Sequence, residues 1–125
     1  MREILFRGKR LDNGELVYGY LLDEINGSKP VIIQSADMED DCSISWEYSH
    51  VDPATIGQYT GLTDKNGMRI FEGDVVRIQS KNYEVKYLLG QFFVGMNMPI
   101  AYKRFECKVI GNIHDNPELL GGADV

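Results

Sequence analysis

Apolar and polar residues alternate with a period of two along much of this chain, which predicts short β-strands joined by tight turns. Ile4 to Phe6 is an apolar segment between charges and is expected to form the first strand. Leu16, Tyr18, Tyr20 and Leu22 alternate with Val17, Gly19 and Leu21, a strand buried on one face and partly covered on the other. Asp12-Asn13-Gly14 and Asn26-Gly27 are expected turns, because Asn and Gly tolerate positive φ. Pro30 to Gln34, with its β-branched Val31, Ile32 and Ile33, reads as the hairpin return.

Asp37, Glu39, Asp40 and Asp41 suggest a solvated acidic loop. Ile44, Trp46 and Tyr48 then alternate with Ser43, Ser45 and Glu47 in a strand whose apolar face carries the one tryptophan. Asp52-Pro53 fixes a turn over His50 to Ala54. Ile56 to Leu62 is a strand or extended arm, and Asp64-Lys65-Asn66-Gly67 is a strong hairpin signal. Arg69 to Glu72 is short and broken by Gly73. Val76 and Ile78 mark the next strand, Ser80-Lys81-Asn82 a turn, and Tyr83, Val85 and Tyr87 another strand. Gly90 turns the chain into Phe92 to Val94, and Phe105, Cys107 and Val109 form one face of a last strand. Asn116-Pro117-Glu118-Leu119-Leu120 reads as one helical turn, with Asn116 as N-cap and Pro117 as first helical residue.

These elements define a mainly β class: a small barrel-like or two-sheet domain of short antiparallel strands with long loops, an SH3-like barrel element in the second half being one option. With 125 residues, a single domain over 1–125 is expected, 121–125 being a frayed tail. Asn13-Gly14, Val17-Tyr18 and Gly19 are echoed by Asn66-Gly67, Ile70-Phe71 and Gly73, which reads either as two related hairpin units or as recurrence of a turn motif.

The net charge of −6 disfavours nucleic-acid backbones and anionic membranes. The basic groups Arg7, Lys9, Arg10 and Lys103, Arg104, Lys108 are too sparse to define a nucleic-acid site by themselves. Cys42 and Cys107 have no zinc-ligand spacing. Cys107 reads as a buried thiol, and Cys42, after three acidic residues, lacks the electropositive surroundings of a reactive one. No apolar run reaches bilayer length and the N-terminus lacks a signal-peptide core, so a reducing, cytoplasmic setting with no membrane partner is expected.

Candidate chemistry is thin. Glu72 and Asp74 sit two apart and would face the same side of a regular strand, as a metal or acid–base pair would require, but two carboxylates are too few for an oxygen-rich metal site. The alternative is structural: Gly73 permits a bend and Asp74 accepts backbone N–H groups there. His114-Asp115 has the composition of a base and its orienter, yet neighbours on a strand point apart. Tyr83, Tyr87, Phe92 and Phe93 have base-stacking chemistry, although such residues more commonly fill a small β core. No phosphate loop, dinucleotide fingerprint, metalloprotease helix or nucleophile elbow occurs, so no cofactor or metal is expected.

Three stretches resemble the YopX family of phage and prophage proteins. They are Met1-Arg2-Glu3-Ile4-Leu5-Phe6-Arg7; Thr55 to Gly67 continuing through Ile70 to Val76; and Val109 to Leu120. The matching positions include Gln58, Thr60, Gly61, Asp64, Asn66, Gly67, Glu72, Gly73, Asp74, Gly111, Asn112, Asn116, Pro117, Glu118 and Leu119. These residue types serve turns, caps and strands rather than a reaction centre. The chain departs from the pattern at Gly8, where many relatives carry an aromatic residue, and residues 23–50 have no signature, as a partner-specific loop would not. The resemblance implies a β-rich fold, a bacterial or phage source and self-association, but no catalytic mechanism. The leading expectation is an accessory protein that binds itself or an unknown phage or host protein. The alternatives are a nucleic-acid-associated factor and a small metal-dependent hydrolase using Glu72, Asp74, His114 or Asp115.

Overall fold

The computed structural model describes residues 3–23, 29–94, 98–100 and 106–121. Their strands form two antiparallel sheets, in the orders β4-β3-β2-β1-β5-β6 and β10-β9-β8-β7-β11. The strands are β1 (Phe6–Lys9), β2 (Leu16–Leu22), β3 (Val31–Met38), β4 (Ile44–His50), β5 (Gly57–Thr63), β6 (Arg69–Phe71), β7 (Asp74–Ile78), β8 (Lys81–Leu88), β9 (Gln91–Val94), β10 (Met98–Pro99) and β11 (Cys107–Asn112). A 3-10 turn spans Pro53–Thr55, and one short helix, α1, spans Glu118–Gly121. The mainly β, two-sheet expectation holds. The barrel alternative does not, because neither sheet closes: β4, β6, β10 and β11 remain edges.

The chain divides into two compact units, Met1–Gln58 and Tyr59–Val125. The core of the first is Val17, Ile32 and Val51, flanked by Phe6, Leu21 and Ile56. Gly8 belongs to this packing, since a Cβ there would stand 3.1 Å from Val51. That central position places the first strand at Phe6–Lys9, later than the apolar run Ile4 to Phe6 suggests, and buries Arg7 within it. Asp52 caps the turn at Pro53 by accepting Ala54 N–H, and Thr55 Oγ1 accepts Lys9 N–H at 2.9 Å.

β3 runs on through Asp37 to Met38, so Asp37 is a strand residue and only 39–43 form the acidic turn. A bulge between Ile33 and Ser35 shifts the alternation and hides this continuation in the sequence.

The second unit packs Ile70, Val76, Ile78, Val85, Val94, Ile100 and Cys107 together, with Leu62, Tyr83, Phe92 and Val109 against them. The turn after β7 falls at Gln79-Ser80, one residue before the expected Ser80-Lys81-Asn82, with Gln79 at φ 57°. Leu89 and Gly90 both have positive φ, as a two-residue hairpin of type I′ requires. Short β10 has no sequence signal. The expected turn at Asn26-Gly27, strand residue Phe105 and most of the 121–125 tail lie outside the described residues. Gly14 and Gly67 share positive φ, at 73° and 82°, so the first glycines of the echoed motif match in conformation; Gly73 has φ 91° and Gly19 is not left-handed.

Candidate functional site

The family-like residues sit almost wholly in the second unit, around β7 and β11. Asp64 begins the β5–β6 turn and is 5% exposed. Its Oδ1 accepts Asn66 N–H at 2.8 Å and Met68 N–H at 2.9 Å, and its Oδ2 accepts Val109 N–H on β11 at 2.8 Å. Burial works against the charge, but those three donors and Lys108 outweigh it and hold the carboxyl below the usual aspartate range. Thr60 Oγ1 donates to Ile70 O, and Gly61 and Gly67 adopt positive φ, at 88° and 82°. Gln58 pairs with Phe6 in the first unit.

Glu72 and Asp74 do not share a regular strand. β6 ends at Phe71 and β7 begins at Asp74, with Gly73 at φ 91° between them. Glu72 is half-buried, whereas Asp74 is 1% exposed and its Oδ2 accepts Phe71 N–H at 2.8 Å. Asn112 stands opposite Asp74 in the β7–β11 ladder. Its Oδ1 accepts the N–H groups of His114 and Asp115, and its Nδ2 donates to Asp115 Oδ2. Asn116 uses its side chain differently from the expected helix cap: Oδ1 reaches back to Asn112 N–H at 3.3 Å. Pro117 and Glu118 are exposed at the start of α1, and Leu119 O accepts Asn82 Nδ2–H at 2.9 Å. Cys107, at the other end of β11, is buried beside the Asp64 turn, where its carbonyl accepts Lys65 N–H, and burial followed by the charge of Asp64 pushes its thiol up. Among the described residues, no three His, Cys, Asp or Glu side chains gather as a metal site would need.

A different surface stands out in the first unit. The registers pair Tyr20 with Ile33 and Leu22 with Val31; β4 then pairs His50 with Val31, Tyr48 with Ile33, Trp46 with Ala36 and Ile44 with Met38. Residues opposite each other share a face, so all of these, with Tyr18, line one side of β2-β3-β4. Tyr20 is 69%, Met38 73% and Trp46 54% exposed, and Tyr18, Leu22, Ile44 and Tyr48 are exposed as well. The bulge at Gln34 keeps the apolar residues on one side across the phase change. The opposite face carries Ser35, Asp37, Ser45 and Glu47 at its far end. A groove of about 540 Å³ crosses the apolar face, lined by Leu22, Val31, Ile33, Trp46, Tyr48 and His50 among others. Sequence reasoning located the strands but not this surface, because Leu, Tyr and Trp at period two look the same whether or not something packs on them.

The arrangement defines an all-β chain of two open sheets with an uncovered aromatic face and no gathered reaction centre among the described residues. The YopX protein family profile matches residues 5–121, so this chain belongs to the YopX family. Among solved structures it is similar to the crystal structure of protein EF1440 from Enterococcus faecalis, with a TM-score of 0.72 and 27% identity over 96% of this chain and 99% of that one. No curated protein matches it. No helix among the described residues is long and apolar enough to cross a membrane.

Proposed function

We propose that this chain is a phage- or prophage-encoded accessory protein that works through protein–protein contact and self-associates, with the apolar side of β2-β3-β4 as its contact surface. The observation that carries the reading is the exposure of Tyr18, Tyr20, Leu22, Met38, Ile44, Trp46 and Tyr48 on one continuous face. Soluble monomers seldom leave apolar patches beyond roughly a few hundred Å² uncovered. Aromatic residues and Met are enriched where proteins meet. Covering the exposed part of each large side chain returns on the order of 1 kcal/mol before the ordering cost of association. The phage or prophage source is what the resemblance of the motif stretches to the YopX family implies.

The test is mass by light scattering at micromolar concentration, for the natural chain and for Tyr20→Ser/Tyr48→Ser. The natural chain is expected well above the 14.2 kDa of one copy. The double variant is expected near it, with circular dichroism unchanged. A natural chain that stays monomeric and is instead retained on DNA or RNA in a salt-dependent way transfers the aromatic face to base stacking.

A further inference from the structure

We infer that the apolar face of β2-β3-β4 receives an amphipathic helix from a basic partner protein, laid along the strands with Lys or Arg on its flanks. The inference rests on the reading of this face as a contact surface and names the partner that the face fits.

Val31 and Ile33 on β3 are half-buried and floor the groove, while Leu22 on β2 and Trp46 and Tyr48 on β4 stand more exposed on either side. The groove therefore follows the strand direction. From Ile44 to His50 the face is roughly 20 Å long, and its three strands span roughly 10 Å. An α-helix is about 10 Å across and covers that length in about 14 residues. The far half of the face gains most from such a cover. β2 pairs with β3 only as far as Tyr20 and Ile33. From Ser35 onward the ladder joins β3 to β4 alone, and every residue from Gln34 to Tyr48 is exposed. A two-stranded ribbon is marginally stable by itself in water, and Met38, Ile44 and Trp46 line one side of this one.

Charge selects the partner. The chain has no Lys or Arg between Lys29 and Lys65. The β3–β4 hairpin therefore carries Asp37 and Glu47 on its reverse side and Glu39, Asp40 and Asp41 at its tip with no basic residue of its own. The first unit holds eleven Asp and Glu against five Lys and Arg, which is the whole net charge of −6. Of its basic groups, Arg7 is buried, Arg10 is bonded to Asp12 and Lys9 is half-buried on β1. Lys29 and Asp23 both line the other end of the groove, so that end is balanced in charge and the tip is not. The exposed rings of Tyr20, Trp46 and Tyr48 offer cation–π contacts to Lys or Arg beside the apolar stripe. A second copy brings the same surplus of carboxylates, so self-association through this face works against charge and yields to a basic partner.

Trp46 is the one tryptophan of the chain, so its emission reports cover on this face. The full chain is titrated with an amphipathic Leu-Lys helix of about 14 residues and with its Leu-Glu counterpart. The Leu-Lys peptide is expected to move Trp46 emission to shorter wavelength, to lower the mass of the self-associated chain, and to bind roughly tenfold or more tightly than Leu-Glu. Its affinity should fall as sodium chloride rises from about 50 to about 500 mM, whereas self-association should hold or strengthen. Glu39→Gln/Asp40→Asn should lose several-fold of that affinity, Glu84→Gln on β8 none, and Tyr20→Ser/Tyr48→Ser nearly all, with circular dichroism unchanged throughout.

Equal binding of the two peptides, an unmoved Trp46 emission, or full affinity in the Tyr20/Tyr48 variant overturns the basic helix as the partner. If neither peptide binds while the natural chain assembles, this inference falls and the self-association reading stands. If the chain stays monomeric and Leu-Lys covers Trp46, self-association falls and this inference stands.

Discussion

The side-chain oxygen of Asn116 occupies the space a Cβ would need at Gly111. That Cβ would lie 2.5 Å from Asn116 Oδ1, 2.9 Å from its Cγ and 3.0 Å from Leu119 Cδ1. Asn116 cannot simply swing away, because the same oxygen accepts Asn112 N–H. Gly111→Ala is therefore expected to cost roughly 1–3 kcal/mol, the range for forcing an extra carbon into a packed site. In a double-mutant cycle by urea unfolding, Gly111→Ala should cost much less in an Asn116→Ala background. Additive effects would disconnect the two residues.

Asp64 gives the fold a pH dependence. Its carboxyl lies lower in the folded chain than in the unfolded one, so the ionised form adds stability above the unfolded value, near pH ~4. That contribution fades as pH falls from there through the folded value. Asp64→Ala is expected to cost roughly 2–4 kcal/mol at pH 7, since it abandons three backbone donors. Asn recovers part of this: its oxygen serves Asn66 and Met68 while its NH₂ meets the Val109 N–H as donor against donor. Urea unfolding between pH 7 and pH 3 should show a shallower acid slope in both variants than in the natural chain.

For Asp74 the structure supports a role in closing the Phe71–Asp74 turn, and we propose that Glu72, Asp74 and Asp115 act structurally. Asp74→Ala should lower stability by about 1–3 kcal/mol, with Asp74→Asn intermediate. Magnesium, manganese or calcium should leave the melting temperature of all three chains unchanged. An ion-dependent rise confined to the natural chain would instead indicate a metal ligand.

Gly67 isolates a backbone effect. Its φ is 82° and a Cβ would meet nothing within 4 Å, so only the left-handed conformation opposes a side chain. Gly67→Val is expected to lose about 1–2 kcal/mol and Gly67→Asn much less. Equal melting temperatures would show that the turn relaxes into another conformation.

Most strands were legible because turn chemistry and alternation agree locally: Asp64 to Gly67, Leu89-Gly90 and Leu16 to Leu22 need no distant partner to be read. The length of β3 was not, since the extra residue Gln34 breaks the period between Ile33 and Ala36. Which side of β2 is covered was equally hidden. Val17 and Gly19 face inward and the bulkier Tyr18 and Tyr20 outward, because the backbone of Ile33 and Gln34 presses on Gly19 so closely that no larger residue fits. The candidate surface escaped sequence reading for the same reason. Hydrophobicity marks residues that favour cover, and it does not say whether the cover comes from the same chain. The Asn116 bond to Asn112 was hidden too, because an Asn before Pro117 satisfies the pattern of a helix cap and of a turn alike.

The bonds that Asp64 and β7 make with β11 also order events during synthesis. Every strand pairing of the first unit closes within residues 6–58, so those ladders can assemble while later residues are still being added. The second unit has to wait. β7 can pair with β8 but lacks β11 on its other side, and Asp64 lacks Val109, until residues 107–112 have left the ribosome. Until then the nascent chain holds a finished leading portion and a trailing one whose β7 has an open edge, the state in which chaperone engagement and misassembly concentrate.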